Sequence, residues 1–231
     1  MSTVWIRRAA LVFLLLLLLL PFSSVIASPA AADGPGSLDT TFGTGGKVTT
    51  DFGGFDVGRS VAIQGDGRIV VAGFSNAGGF PVARYNTDGS LDSSFGTGGK
   101  VTTDFFVSHS DYGTAITTVQ ADGKIVVVGS SENGDTGTDF ALSRYNSDGS
   151  LDTTFGVAGR VTTYFNGVSR ASSVVIGAEG KIVVAGYSFQ GNRGYDFALA
   201  RYNSDGSLDT TFGAGGKVVT DIRGISFGED K

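Results

Sequence analysis

Three turns of this chain carry amides and carboxylates at one fixed spacing: Asn86, Asp88 and Asp92; Asn146, Asp148 and Asp152; Asn203, Asp205 and Asp209. Oxygen ligands two and four residues apart around a glycine turn are of the kind that gathers on a hard cation such as calcium. The spacing is not that of the EF-hand loop, and no bidentate Glu follows at its end. The same residue types cap their own backbone in Asx turns, which accounts for them without a metal. No cofactor is therefore expected, and a calcium site is the weaker alternative.

A second constellation pairs Arg84, Arg144 and Arg201 with Asp92, Asp152 and Asp209, each eight residues further on. The spacing predicts a bidentate bridge that fixes the connection between one unit and the next. Residues present in every unit are better explained as holding every unit together than as a catalytic pair. His109 is the only histidine, flanked by Ser108, Ser110 and Asp111. Neighbours one or two apart do not reach nucleophile–base–orienter geometry, which draws on separate elements, so no triad is expected. Gly-Thr-Gly-Gly-Lys at 43–47 and 96–100 lacks the Walker spacing and leads into a strand rather than a helix. No catalytic residue is assigned.

Function is to be sought where the units differ. The links spanning Ser75–Gly79, Ser130–Asp139 and Ser188–Asp196 vary in length and composition. They offer Glu132, Asn133, Asp135, Asn192, Arg193 and Tyr195, residue types that recognise sugars, peptides or ions at loop surfaces.

These residues sit on a repeated frame. The phrase Ser-Leu-Asp, two small hydroxyl residues, Phe-Gly opens at Ser37, Ser90, Ser150 and Ser207. Recurrence at this near-constant spacing marks a repeat architecture. Each unit holds four short apolar runs. The first is Lys47–Phe52, with counterparts at Lys100–Phe105, Arg160–Phe165 and Lys217–Ile222. Its alternating β-branched residues predict a half-buried strand. The second is Ser60–Gln64, Thr114–Gln120 and Ala171–Gly177; the third is Arg68–Gly73, Lys124–Gly129 and Lys181–Gly186. The third is continuously apolar, which places it inside a sheet covered on both faces. Asp66-Gly67, Asp122-Gly123 and Glu179-Gly180 join second run to third, a hairpin signal, since glycine accepts the positive φ of such turns. The fourth run, Phe80–Asn86, Phe140–Asn146 and Phe197–Asn203, ends in Arg-Tyr-Asn, and the polar tips of Tyr85, Tyr145 and Tyr202 need partners.

Residues 1–32 read as a secretory signal and its cleavage region: Arg7 and Arg8, an apolar core Ala9–Leu20, a break at Pro21, then small residues. The core is too short to span a bilayer, and no later stretch is long and apolar enough to do so. Residues 33–231 form the repeat domain. The expected location is outside the cytoplasm: extracellular, cell-surface or periplasmic. Setting Arg7 and Arg8 aside takes the formal charge from -5 to -7. Such a balance repels nucleic acid and anionic lipid. The absence of cysteine excludes thiol catalysis and leaves stability to burial and sheet pairing.

Four antiparallel strands in each unit, repeated, describe β-propeller blades. The run Tyr-Asn-x-Asp-Gly-Ser-Leu-Asp-x-x-Phe-Gly-x-x-Gly-Lys-Val, followed by Asp-Gly-Lys-Ile-Val-Val-x-Gly, resembles the delta-60 repeat of exported bacterial proteins, over nearly all of residues 37–222. The resemblance implies a propeller-like array and brings no catalytic residues.

The expected architecture is all-β: three four-stranded antiparallel blades plus one orphan N-terminal strand, an incomplete ring. Three blades do not close alone, since propellers have about four to eight. The expectation is self-association, or further blades from a longer chain. The function expected is a secreted, non-enzymatic binding or scaffold module for a glycan or protein ligand. The alternatives are a hydrolase or lyase with its site at the ring's channel, or a fragment without function of its own.

Overall fold

The structure, a computed structural model, describes residues 34–105, 111–133, 137–191 and 194–221, without the side chains of 111–116 and 133. The signal segment, His109, Asp135, Asn192 and Arg193 lie outside the described residues. The chain divides into two units, 1–37 and 38–231. In the first, Ser37 donates from its amide and hydroxyl to the Gly34 carbonyl. The second is the repeat region.

Among the described residues, twelve strands build three four-stranded antiparallel sheets. The first blade is β1 (Asp56–Ile63), β2 (Ile69–Ser75), β3 (Phe80–Tyr85) and β4 (Lys100–Thr103). The second is β5 (Asp111–Val119), β6 (Ile125–Asn133), β7 (Gly137–Tyr145) and β8 (Arg160–Thr163). The third is β9 (Ser169–Ile176), β10 (Ile182–Phe189), β11 (Tyr195–Tyr202) and β12 (Lys217–Thr220). Each strand pairs with its neighbour in sequence, as the hairpin signals require. Gly67 and Gly123, both at positive φ, supply the left-handed residue of those hairpins. Gly67 also donates its amide to the Gln64 carbonyl.

The glycine that closes the third run has a second cause. At Gly73 and Gly186 a Cβ atom would lie 2.0 Å from the carbonyl oxygen of Val57 or Arg170 on the adjacent strand. A β-bulge brings those strands close, between Gly58 and Ser60 and opposite Ala185 and Gly186.

Packing runs from blade to blade. Val70, Ala72, Phe80 and Val82 of the first blade bury themselves against Ile125, Val127, Ala141 and Tyr145 of the second. The second blade turns Val126, Val128, Phe140 and Leu142 toward Ile182, Val184, Ala198, Ala200 and Tyr202 of the third. The third run is accordingly buried on both faces only in the second blade, where Ile125 to Val128 are all inaccessible. In β2 and β10 burial alternates, because each outer blade has a neighbour on one side.

Two expectations change. Residues 47–52 form no ladder: among the described residues the segment carries a single bridge, Gly43 with Lys47, and has no strand beside it to pair with. It is nonetheless held where a fourth strand belongs. Thr50 Oγ1 lies 2.6 Å from the Tyr85 hydroxyl, as Thr103 meets Tyr145 and Thr163 meets Tyr202, both at 2.7 Å. The links between third and fourth runs are also shorter than expected, for β6 continues to Asn133 with β7 starting at Gly137, and β10 continues to Phe189 with β11 starting at Tyr195. Ser130, Ser131 and Asp139 are buried strand residues, since the sheet ladder satisfies their backbone and small polar side chains fit between blades.

Candidate functional site

The repeated polar residues form one structural device, built three times. Arg84 leaves β3 at its end and donates Nε to Asp92 Oδ2 at 2.7 Å; Arg144 and Arg201 do the same to Asp152 and Asp209 at 2.8 Å. The bridge is monodentate rather than bidentate, because the remaining guanidinium nitrogens have other partners. Nη2 of Arg84 reaches Ser94 Oγ at 3.2 Å, and Nη1 donates to the Ser147 carbonyl of the second blade. Arg144 Nη1 likewise donates to the Ser204 carbonyl of the third. The guanidinium also lies over Phe95, Phe155 or Phe212, at 4.7, 4.5 and 4.6 Å from the ring centre. Cation–π attraction thereby adds to the pair.

The aspartates are equally committed. Oδ1 of Asp152 accepts from the Thr154 amide and hydroxyl, and Oδ2 accepts from Arg144 and from Lys124, 2.9 Å away. Burial pushes this carboxyl up, but the Thr154 and Lys124 hydrogen bonds and the Arg144 charge outweigh it and hold the group well below the usual carboxylate range. Asp92 is lowered on the same pattern, burial being opposed by Ser94 and Arg84.

Asp88, Asp148 and Asp205 make the local turns expected of them. Asp88 Oδ1 accepts from the Ser90 hydroxyl at 2.7 Å and amide at 2.9 Å, which lowers its pKa, and the Asp148–Ser150 and Asp205–Ser207 turns repeat the arrangement. Asn86, Asn146 and Asn203 donate from Nδ2 to the same serine hydroxyls. Backbone bonds then tie blade to blade: Gly96 donates to the Asp148 carbonyl and Gly156 to the Asp205 carbonyl, at 2.7 and 2.8 Å. Among the described residues no three His, Cys, Asp or Glu side chains are gathered as a metal site.

The tyrosine tips complete the device. Burial pushes the Tyr202 phenol above the usual tyrosine range, so it stays protonated and donates to Thr163. Tyr202→Phe leaves the buried Thr163 hydroxyl without its donor and is expected to cost about 1–2 kcal/mol. Tyr85→Phe, facing the half-buried Thr50, is expected to cost less than half of that by chemical denaturation. Equal losses would contradict this account.

Of the link residues that differ between units, Glu132 sits half-buried near the end of β6, and Tyr195 opens β11. Tyr195 is 60 % exposed and belongs to a cluster the sequence does not single out. Tyr187 meets it edge-to-face at 5.2 Å, and Phe189 lies 5.2 Å away on the other side. Phe197 is 59 % exposed. Strand alternation puts it on the same face, paired with Tyr187. The corresponding face of the second blade presents Ser130, Glu132, Thr138 and Phe140. In the first blade Phe74 stands at the place of Tyr187, so Phe189 and Tyr195 are the aromatic residues particular to the third blade. The strand pattern Tyr-x-Phe in β10 is the available signal, hidden while the link is read as beginning at Ser188.

Among the described residues no helix is long and apolar enough to cross a membrane. No curated protein matches the chain. Residues 64–95, 120–155 and 178–212, one stretch from each blade, match the family described as a Domain of unknown function (DUF5122) beta-propeller, which agrees with the three repeated four-stranded sheets.

Proposed function

We propose that this chain is an exported, non-enzymatic binding or scaffold module that meets its ligand through the uncovered face of its third blade. The observation that carries the reading is the aromatic cluster Tyr187, Phe189, Tyr195 and Phe197, of which the last three are exposed. Rigid aromatic side chains lose little entropy on contact and offer large apolar area, the properties of an interface anchor. The repeated Arg–Asp pairs and Asx turns are committed to joining blades. What the described residues of the third blade add to the common frame is thus aromatic surface, Phe189 and Tyr195, rather than acid–base groups.

Glycan and peptide arrays probed with the exported form should yield a ligand whose affinity falls about tenfold or more in Tyr195→Ala, the loss expected for a contributing anchor. Turnover of a glycoside or ester panel that disappears in Glu132→Gln would overturn the reading in favour of a hydrolase.

A further inference from the structure

The two outer faces of the repeat array are complementary to each other. The first blade's outer face lines a groove of about 390 Å³ with Ile69, Val71, Pro81, Ala83 and Tyr85; Phe42, Val48 and Phe52 of the same chain line it too, and Pro81, Ala83 and Tyr85 are already buried, while Ile69 and Val71 are half-buried. The equivalent residues of the second blade, Ile125, Val127, Ala141, Ser143 and Tyr145, are fully covered by Phe80 and Val82 of the first. The third blade's free face carries Val183, Ala185, Phe197 and Leu199, the counterparts of Val126, Val128, Phe140 and Leu142, which fill that role between the second blade and the third. The first face has its knobs only in part, from residues 42–52, and the second has no socket among the described residues.

The polar contacts are incomplete in the same sense. Arg84 and Arg144 each donate Nη1 to a carbonyl of the following blade, and their side chains are 3 % and 6 % exposed. Arg201 is 30 % exposed, and among the described residues it bonds only to Asp209 and Thr211, on the link to β12 of its own blade. The carbonyl equivalent to those of Ser147 and Ser204 is that of Thr87, at the first blade.

We infer that the free face of the third blade docks on the first-blade groove of a second copy of this chain, a head-to-tail contact that repeats the interface between neighbouring blades. The inference rests on the reading above and names the partner of that aromatic face. Two copies joined reciprocally bring six blades, within the range of about four to eight that closes a propeller.

The groove is partly occupied by residues 38–52 of its own chain, through Thr50 with Tyr85 and the Gly43 amide with the Asp88 carbonyl. Residues 207–222 of an incoming copy repeat residues 37–52 except at three positions, where Ala214, Val219 and Ile222 stand for Thr44, Thr49 and Phe52. Thr220 and Gly213 reproduce the two contacts, so the exchange is nearly neutral at the strand and gains the burial of β10 and β11. Dimerisation thus releases residues 38–52.

The test is sedimentation velocity on the exported form, with hydrogen exchange on the same samples. A dimer is expected in the micromolar range, weakened about 100-fold or more by Phe197→Asp on one face and by Val71→Lys on the other. Mixing the two variants should restore a heterodimer through the one unmodified pair of faces. Exchange should slow across β10 and β11 and quicken over residues 42–52. Circular dichroism checks that each variant is folded, and Ile69→Lys replaces Val71→Lys if the latter is not. A monomer throughout the micromolar range, a dimer lost in only one variant, or a mixture that stays monomeric would overturn the inference. If the chain is monomeric while an array ligand is still lost in Tyr195→Ala, the binding reading stands and only its partner is wrong.

Discussion

Replacing Phe140 with alanine is expected to lower the unfolding free energy by about 3–5 kcal/mol, whereas the same change at Phe197, the equivalent residue one unit later, is expected to cost less than about 0.5 kcal/mol. Phe140 is inaccessible, its ring 4.7 Å from that of Phe165 and wedged among Ile182, Val184 and Ala198 of the third blade. Alanine there removes the transfer free energy of a buried ring and leaves a cavity walled by strands that are held by their own ladders and do not collapse into it. Phe197 has the same sequence context and the same place in its sheet, yet it is more than half exposed because no blade among the described residues covers it. Phe80, inaccessible and packed on Phe105 at 4.9 Å, belongs with Phe140. Urea unfolding of the three alanine variants, at a dilution where the chain is monomeric, separates context from sequence. Three equal losses would mean that stability resides within each sheet rather than between blades.

The contrast between Phe140 and Phe197 also marks what the sequence could and could not reveal. Strand order is legible because Asp66-Gly67 and its counterparts specify hairpins locally, and local pairing sets the register. The need of Tyr85, Tyr145 and Tyr202 for partners is legible from their chemistry, although the partners, Thr50, Thr103 and Thr163, stand 35, 42 and 39 residues earlier, across a blade boundary, and no spacing rule points to them. The Arg–Asp pairing eight residues apart is legible too. Its third arm is not, since Arg84 reaches the Ser147 carbonyl across a blade boundary, where contact depends on how sheets stack rather than on periodicity. The aromatic face of the third blade escapes for a related reason: Tyr187 falls just past the third run and Phe189 within the link that begins at Ser188, whereas β10 carries both onto a face that no described blade covers. Of the link residues expected to bind, Glu132 and Tyr195 prove to be strand residues, because β6 and β10 extend further than their apolar runs.

Asp152→Asn is expected to be as damaging as the loss of a core ring, about 3–5 kcal/mol at neutral pH, the range for breaking a buried ion pair by removing one partner. Asp152 and Arg144 are 5 % and 6 % exposed, and Asp152 also receives Lys124. In the variant, if the amide oxygen keeps the Thr154 bonds, the Nδ2 group faces Arg144 and Lys124, donor against donor, and a guanidinium is left buried without a counter-charge. Arg144→Ala combined with Asp152→Ala should cost less than the sum of the two single changes, because the second removes a charge the first has already stranded. The effect should depend on pH with a definite sign. The folded-state pKa of Asp152 lies below the unfolded value of about 3.9, so its contribution is complete above the ordinary carboxylate range and is lost as pH falls from about 4 through the lower folded value. Asparagine does not titrate, and the gap between the two proteins should therefore narrow as the wild type is acidified below about pH 4. Denaturant unfolding at neutral pH and again well into the acid range measures both quantities. A gap under about 1 kcal/mol at neutral pH would show that solvent suffices to screen the Arg144 and Lys124 charges and that the blades are joined by apolar packing alone.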